Sequence, residues 1–321
     1  MKNKILQGDS LEVLKTLESE SINCVITSPP YFNLRDYGVE GQIGLEKTWQ
    51  EYIKKLIDIF DEVKRVLKKE GTCFVNLGDT YATISGGSKQ LAKGNKKQYG
   101  LINHDNRFGT EQNKPKHLHK SLMMIPERFA IAMIEEKWIL RNKLVWIKRN
   151  AMPESVQDRW KKAHEYIFFF TKNKKYHFDL DSIRTPHQLV SLKRAEYEQG
   201  RNALGQNKSS VGDKSAEYGM PARVVKLNPK GAVPPDFLDI FTNSGEDGAI
   251  DHYATYPQTL ISPLIKAGCP AGGIVLDPFM GSGTTAVVAR KLDRNYLGIE
   301  LSPAYIKIAE QRLSQKLLWT V

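Results

Sequence analysis

Residues 27–31 read Thr-Ser-Pro-Pro-Tyr and follow directly on a short apolar run, Asn23-Cys24-Val25-Ile26. Such a run is expected to be a buried strand, which puts Ser28, Pro29, Pro30 and Tyr31 at its C-terminal edge. Open α/β sheets bind ligands at that edge. The four residues suit a planar ring that carries an amine. The Ser28 hydroxyl and a backbone carbonyl held by proline can accept from an NH2 group while the Tyr31 ring stacks. Proline locks φ and has no N–H, so the turn is stiff. A Ser-Pro-Pro turn that merely ends a strand is the plain alternative, and these residues alone do not decide between the two.

A second cluster at the other end of the chain does. Residues 274–285 read Ile-Val-Leu-Asp-Pro-Phe-Met-Gly-Ser-Gly-Thr-Thr. The pattern predicts a strand over 274–276, an acid, a glycine loop and a helix over 284–292. A second strand over 296–299 ends in Glu300. Gly281 and Gly283 permit positive φ and close backbone approach. Glu300 falls near the spacing of about 20 residues at which an acid on the second strand binds ribose hydroxyls. A phosphate-cradling loop would need a Lys before the Ser/Thr, and here Thr284 and Thr285 follow Gly283 directly. The full G-x-G-x-x-G pattern is absent too. The cluster points to an adenosine-containing ligand without tight pyrophosphate contacts.

Taken together, the two clusters make the chain resemble the amino-methylating DNA methyltransferases that use S-adenosylmethionine. Ser28-Pro29-Pro30-Tyr31 resembles their catalytic motif, and Asp277-Pro278-Phe279-Met280-Gly281-Ser282-Gly283 their cofactor loop. Catalytic motif first and cofactor loop last is the order of the beta class. The resemblance implies cofactor contacts from Asp9 to the adenine, from Glu300 to the ribose, and from Asp277, Pro278, Phe279, Gly281, Ser282, Gly283 and Thr284. Thr255, within His252-Tyr253-Ala254-Thr255-Tyr256-Pro257, would line the methionine end. Asn150-Ala151-Met152-Pro153-Glu154-Ser155, Asp158-Arg159 and His164-Glu165-Tyr166 also resemble family blocks.

The implied reaction moves a methyl group from S-adenosylmethionine to the exocyclic amine of a base flipped out of double-stranded DNA. That amine's lone pair is delocalised into the ring, so acceptors at Ser28 and the Pro29 carbonyl would draw it toward tetrahedral geometry. Flipping costs a few kcal/mol, and stacking on Tyr31 would recover about 1–3 kcal/mol. The ring, not the hydroxyl, of Tyr31 is expected to matter, so Phe or Trp should serve there. Serine at position 28 favours cytosine N4 over adenine N6, where the family usually carries Asp. Three other readings compete. Ring-carbon methylation needs a nucleophilic Cys after Pro, whereas Cys269 precedes Pro270 and Cys24 and Cys73 lie in strands. A binder with a dead cofactor pocket is opposed by the intact acids and glycines. Methylation of protein glutamine usually goes with Asn at position 28.

These residues must be positioned by a sheet the sequence cuts in two. Strands are expected over 4–7, 23–26 and 72–77, with helices over 10–17 and 48–67. The latter carries apolar residues at Tyr52, Leu56, Ile59, Val63 and Val66, a helical spacing. Further on come a helix over 125–136 and strands over 139–148 and 166–171. Ser302 and Pro303 mark the start of a last helix. Joining the two ends gives strand and helix in unbroken alternation. The expected fold is therefore α/β: a circularly permuted Rossmann-like methyltransferase sheet with helices on both faces. The segments are a catalytic half (1–82), a basic flexible insertion (83–120), the rest of the sheet (121–186), a target-recognition region (187–245) and a cofactor-binding half (246–321).

Charge supports the DNA reading. The formal net charge is +11, with +6 in residues 85–120, +7 in 141–176 and +4 in 187–230, so the remainder is net −6. Such segregation is the footprint of a polyanion binder. No apolar run long enough for a membrane helix occurs, no signal peptide is expected, and three scattered cysteines suit a reducing cytoplasm, prokaryotic or phage-encoded. No metal site is expected, since His117-x-His119 lacks acid or thiol companions. A homodimer and a separately acting restriction endonuclease stay open as partners.

Overall fold

The computed structural model describes residues 1–82, 118–203, 227–242 and 256–314. Its frame is one eight-stranded sheet. The strands are β1 (Lys4–Gln7), β2 (Ile22–Thr27), β3 (Leu67–Leu77), β4 (Ile139–Lys148), β5 (His164–Thr171), β6 (Phe237–Ile240), β7 (Ile274–Asp277) and β8 (Asn295–Glu300). Their order is β1-β8-β7-β2-β3-β5-β4-β6. Counted from β7 and continued through β8 into β1, the order begins 3-2-1-4-5, that of a doubly wound sheet. β5 runs antiparallel to both β3 and β4, while the remaining pairs are parallel.

Helices cover both faces, and side-chain alternation decides which residue meets which face. On one face α1 (Ser10–Lys15), α2 (Trp49–Val66) and α3 (Ile125–Glu135) pack on Val25, Cys73, Val75, Phe168 and Phe170. On the other, α5 (Gln258–Gly268) and α6 (Thr284–Lys291) pack on Cys24, Ile26, Phe74, Ile167 and Phe169. The apolar Ile-Phe-Phe-Phe run of β5 is buried on both sides, as expected. α2 starts on a capping box between Thr48 and Glu51. It buries Tyr52, Leu56, Ile59, Val63 and Val66 along the predicted face. α7 (Pro303–Ser314) begins at the expected proline.

One helix was not anticipated, and one region has other limits than expected. α5 contains Pro263 and follows Pro257, and proline reads as a breaker. A separate compact unit spans Asp179–Pro235. It holds α4 (Leu189–Ala203), an antiparallel bridge Thr185↔Ala232 and the Lys230–Asp181 ion pair. Its limits differ from the 187–245 drawn from composition, because Phe237–Ile240 pairs with β4 and is part of the main sheet. Most of the basic insertion, residues 83–117, lies outside the described residues. Among the described residues no helix is long and apolar enough to cross a membrane.

Candidate active site

The register brings the two ends of the chain to one sheet edge. Gln7 pairs with Glu300 and Asp277 with Gly298. Val25 pairs with Leu276, and Thr27 with Val75. Asp9, Glu300, Asp277 and Ser28 therefore follow their strands on one side of the molecule. Cross-links tie the strand ends together. The Gly8 N–H donates to the Glu300 carbonyl at 3.0 Å. Ser10 Oγ donates to the Pro278 carbonyl at 2.6 Å. Thr27 Oγ1 donates to Asp277 Oδ1 at 2.6 Å.

Asp277 is fully buried, and its oxygens are occupied from within. Oδ1 accepts from Thr27 and from the Phe279 N–H (3.0 Å). Oδ2 accepts from Thr285 Oγ1 (2.6 Å) and Tyr256 Oη (3.0 Å), and these two hydroxyls lie 2.5 Å apart. Burial raises its pKa, and these donors oppose the shift. Together these contacts fix the glycine loop around Asp277.

The loop's other residues divide in the same way. Gly281 has φ +54°, and a Cβ there would meet nothing within 4 Å; Gly283 has φ +83°, and a Cβ would come 2.7 Å from Ala309 Cβ. Gly281 thus borders open space, whereas Gly283 serves close packing against α7. Arg312 Nη1 reaches the Ser282 carbonyl (2.8 Å), Ser282 Oγ (3.1 Å) and Thr284 Oγ1 (3.0 Å). Ser282 and Thr284 are buried, and Arg312 ties their side chains into the loop. Phe279 packs partly on the core.

Glu300 accepts from the Gly281 N–H and the Ser302 N–H, each at 2.8 Å. Burial raises its pKa against those two bonds. Tyr37 and Tyr305 meet edge to face at 6.3 Å. Burial raises both phenols, and the Glu300 charge adds to the shift. Neither tyrosine stands out in the sequence, where no motif surrounds them. Asp9 caps α1, its Oδ1 accepting from Leu11 N (2.9 Å) and Glu12 N (3.1 Å). Thr255 lies outside the described residues.

At the Ser-Pro-Pro-Tyr turn the arrangement is a hydrogen-bonded chain. Ser28 Oγ donates to Tyr31 Oη (3.3 Å), which donates to Glu165 Oε2 (2.8 Å). Asn76 Nδ2 also donates to Glu165 Oε2 (3.2 Å), and Lys148 pairs with Oε1. Burial, then the Glu165 charge, pushes the Tyr31 phenol well above its ordinary value. The expectation that Tyr31 works through its ring alone is therefore incomplete. The Tyr31 ring packs closely on Gly78, where an added Cβ would lie 2.6 Å from Tyr31 Cε2. The Pro30 carbonyl is taken by Tyr52 Oη (2.8 Å). Among the described residues no protein donor reaches the Pro29 carbonyl, so it stays available to an amine. In the sequence Glu165 stands out only within a block, and Asn76 and Lys148 not at all, because only tertiary pairing of β3, β5 and β4 brings them together. The three cysteines are buried, and burial pushes Cys269 up to about 12 and holds Cys24 and Cys73 far above their usual value. None is disposed to act as a nucleophile.

Residues 22–311 match the N6_N4_Mtase family model, described as DNA methylase. Type II methyltransferase M.Cfr9I of Citrobacter freundii is 39% identical over 96% of this chain and 87% of its own length. M.SmaI of Serratia marcescens is 36% identical over 98% of this chain and 91% of its own. Among solved structures, the cytosine-N4-specific PvuII DNA methyltransferase superimposes with a TM-score of 0.64. It is 20% identical and covers 99% of this chain and 88% of its own. A DNA modification methylase from Thermus thermophilus, complexed with S-adenosyl-L-methionine, gives 0.56 at 19% identity over 98% and 96%. At these identities the two structures establish a shared fold.

Proposed function

The chain belongs to the DNA methylase family that its residues 22–311 match, and from that premise we propose that it methylates cytosine N4 in double-stranded DNA with S-adenosylmethionine. The coarser statement, a Type II amino-methylating DNA methyltransferase, rests on the family and on relatives spanning nearly the whole chain.

The observation behind the finer reading is that position 28 is a serine whose hydroxyl lies 3.3 Å from Tyr31 Oη. Its hydrogen goes to Tyr31, whose own hydrogen goes to Glu165. The Ser28 lone pairs are left to accept from an amine, beside the free Pro29 carbonyl. Two acceptors hold the amine in a near-attack pose. The cofactor fits the neighbouring stretch of edge: Glu300 keeps acceptor capacity for a ribose diol, and Gly281 borders open space. When bound, S-adenosylmethionine supplies a methyl group on a sulfonium. The amine must shed one proton. Ser28 Oγ can take it while its own hydrogen passes to Tyr31 Oη and that of Tyr31 to Glu165 Oε2, which balances the transfer. Adenine N6 is the second outcome, since its amine needs the same acceptors.

The test is direct. Unmethylated phage DNA is incubated with the protein and S-adenosylmethionine, digested to nucleosides and analysed by mass spectrometry. 4-Methylcytosine supports the proposal. 6-Methyladenine overturns the choice of base, and no methylated nucleoside overturns the activity.

A further inference from the structure

The loop between β4 and β5 holds an exposed tryptophan at the rim of the site. Its root is fixed by the Ile147↔His164 pair and by Lys148 N–H donating to the Ala163 carbonyl at 2.8 Å. Lys148 and Glu165, on either side of that root, belong to the Tyr31 network. The loop is pinned as well. Arg159 pairs with Glu154 at 2.7 Å and lies over the Tyr81 ring at 4.1 Å. Lys162 donates to the Asp79 carbonyl, and Asp158 pairs with Lys120. Between those anchors Trp160 is 93% exposed. A large aromatic held out in water by a pinned loop gains nothing for the fold.

What covers it is argued from charge and position. Lys161 beside it has no acidic partner among the described residues, and the surrounding window 141–176 is net +7. A polyanion carrying flat rings answers both features. The loop also starts where the flipped base would sit. We propose that Trp160 is a wedge that enters the duplex and stacks on the base step vacated by the target, an inference that rests on the DNA-methylating function above. Side chains that part base steps offset the unstacking with contacts of their own, and an aromatic face accepts any base.

The experiment uses the full chain. The recognition site is first mapped by sequencing phage DNA that the wild-type protein has methylated; wild-type protein that methylates no DNA defeats the proposed function and this inference with it. Duplexes carrying the site are then made with the target base either paired or mismatched. Trp160→Ala is expected to slow single-turnover transfer about tenfold on the paired duplex, the equivalent of about 1.4 kcal/mol. The mismatch, which lowers the cost of flipping, should restore most of that rate, and Trp160→Phe should keep most of it. An unchanged rate on the paired duplex overturns the wedge. So does a loss of equal size on both duplexes, which would assign Trp160 to general DNA affinity. Lost self-association at unchanged methyl transfer would assign the residue to contact with a second copy of the chain, and likewise overturns it.

Discussion

Replacing Tyr31 by Phe removes one oxygen and leaves the ring, so it isolates the hydrogen-bonded chain from stacking. Ser28 Oγ loses its acceptor at 3.3 Å, and Glu165 Oε2 loses its donor at 2.8 Å. A hydrogen bond to a charged group contributes about 1.5–3 kcal/mol. Glu165 keeps Asn76 and Lys148, so the cost to stability falls at the lower end, about 1.5 kcal/mol. The catalytic effect is of another kind. The freed Ser28 hydrogen can turn toward the amine, where it repels the N–H it should accept, and the route for the departing proton is cut. Losing one oriented acceptor, at about 1.4–3 kcal/mol, lowers turnover roughly tenfold to a hundredfold. Single-turnover methyl transfer measures this, with thermal melting and calorimetric titration of S-adenosylmethionine alongside. Cofactor affinity should stay within about twofold of the parent. A Tyr31→Phe protein with parental turnover would refute the role of the hydroxyl chain, and a loss confined to cofactor affinity would move Tyr31 into the other pocket.

The remaining expectations separate fold from site in the same way. Gly283→Ala should cost stability by its contact with Ala309 and its positive φ, on the order of 1–2 kcal/mol, whereas Gly281→Ala should chiefly weaken cofactor binding, since its Cβ enters open space; equal cofactor affinities in the two folded variants would contradict this division. Arg312→Ala should loosen the glycine loop and weaken cofactor binding severalfold, read by calorimetry, with melting reporting the loss of its three bonds. The Glu300 pKa is raised by burial. A proton thus binds the folded residue more tightly than the unfolded one, and its contribution to stability falls as pH rises through the folded value. Ribose binding needs the charged form, so cofactor affinity should drop as pH falls through that raised value, and Glu300→Gln should flatten this acid limb; an acid limb that persists in the variant would point to another group. Removing residues 85–120 should lessen the salt dependence of DNA binding, by about 0.9 in log–log slope for each phosphate the segment neutralises, and an unchanged slope would show that this segment does not touch DNA.

Much of this was legible in the sequence because the signals are local. The apolar runs of β2, β5, β7 and β8, the apolar spacing of α2 and the Ser302-Pro303 start each depend on a few neighbouring residues, and the structure holds all of them. Even the sheet-edge convergence followed from counting strand–helix alternation across the two ends. What escaped was decided by tertiary pairing. Glu165, Asn76 and Lys148 sit on three strands, and only the antiparallel pairing of β5 with β3 and β4 makes them one network. Arg312 reaches the glycine loop from α7, far from it in sequence. A motif residue such as Gly283 can serve the loop's own packing, and sequence spacing does not distinguish that from contact with a ligand.

Acceptor accounting separates the acids along this edge. Each carboxylate has about four lone-pair sites. Asp277 is surrounded by Thr27, Phe279 N–H, Thr285 and Tyr256, which hold it to the loop. Asp9 spends one oxygen on two N–H groups of α1, and among the described residues its Oδ2 meets no donor. Glu300 accepts from the Gly281 N–H on one oxygen and the Ser302 N–H on the other, with the Leu301 N–H also turned toward it, so it is less filled than Asp277. Glu165 has two donors on Oε2 and Lys148 on Oε1, so it retains room for a proton but little for a ligand. The same accounting shows why serine suits position 28 in this network. Tyr31 has one hydrogen for two acceptors in reach, Glu165 Oε2 at 2.8 Å and Asn76 Oδ1 at 3.3 Å, and its oxygen can take a donor in turn. A hydroxyl at 28 supplies that donor and still presents lone pairs outward. A carboxylate at 28 would set negative charge against the Tyr31 oxygen with no hydrogen between them, so an adenine-type aspartate would require the Tyr31–Glu165 bond to be rewired.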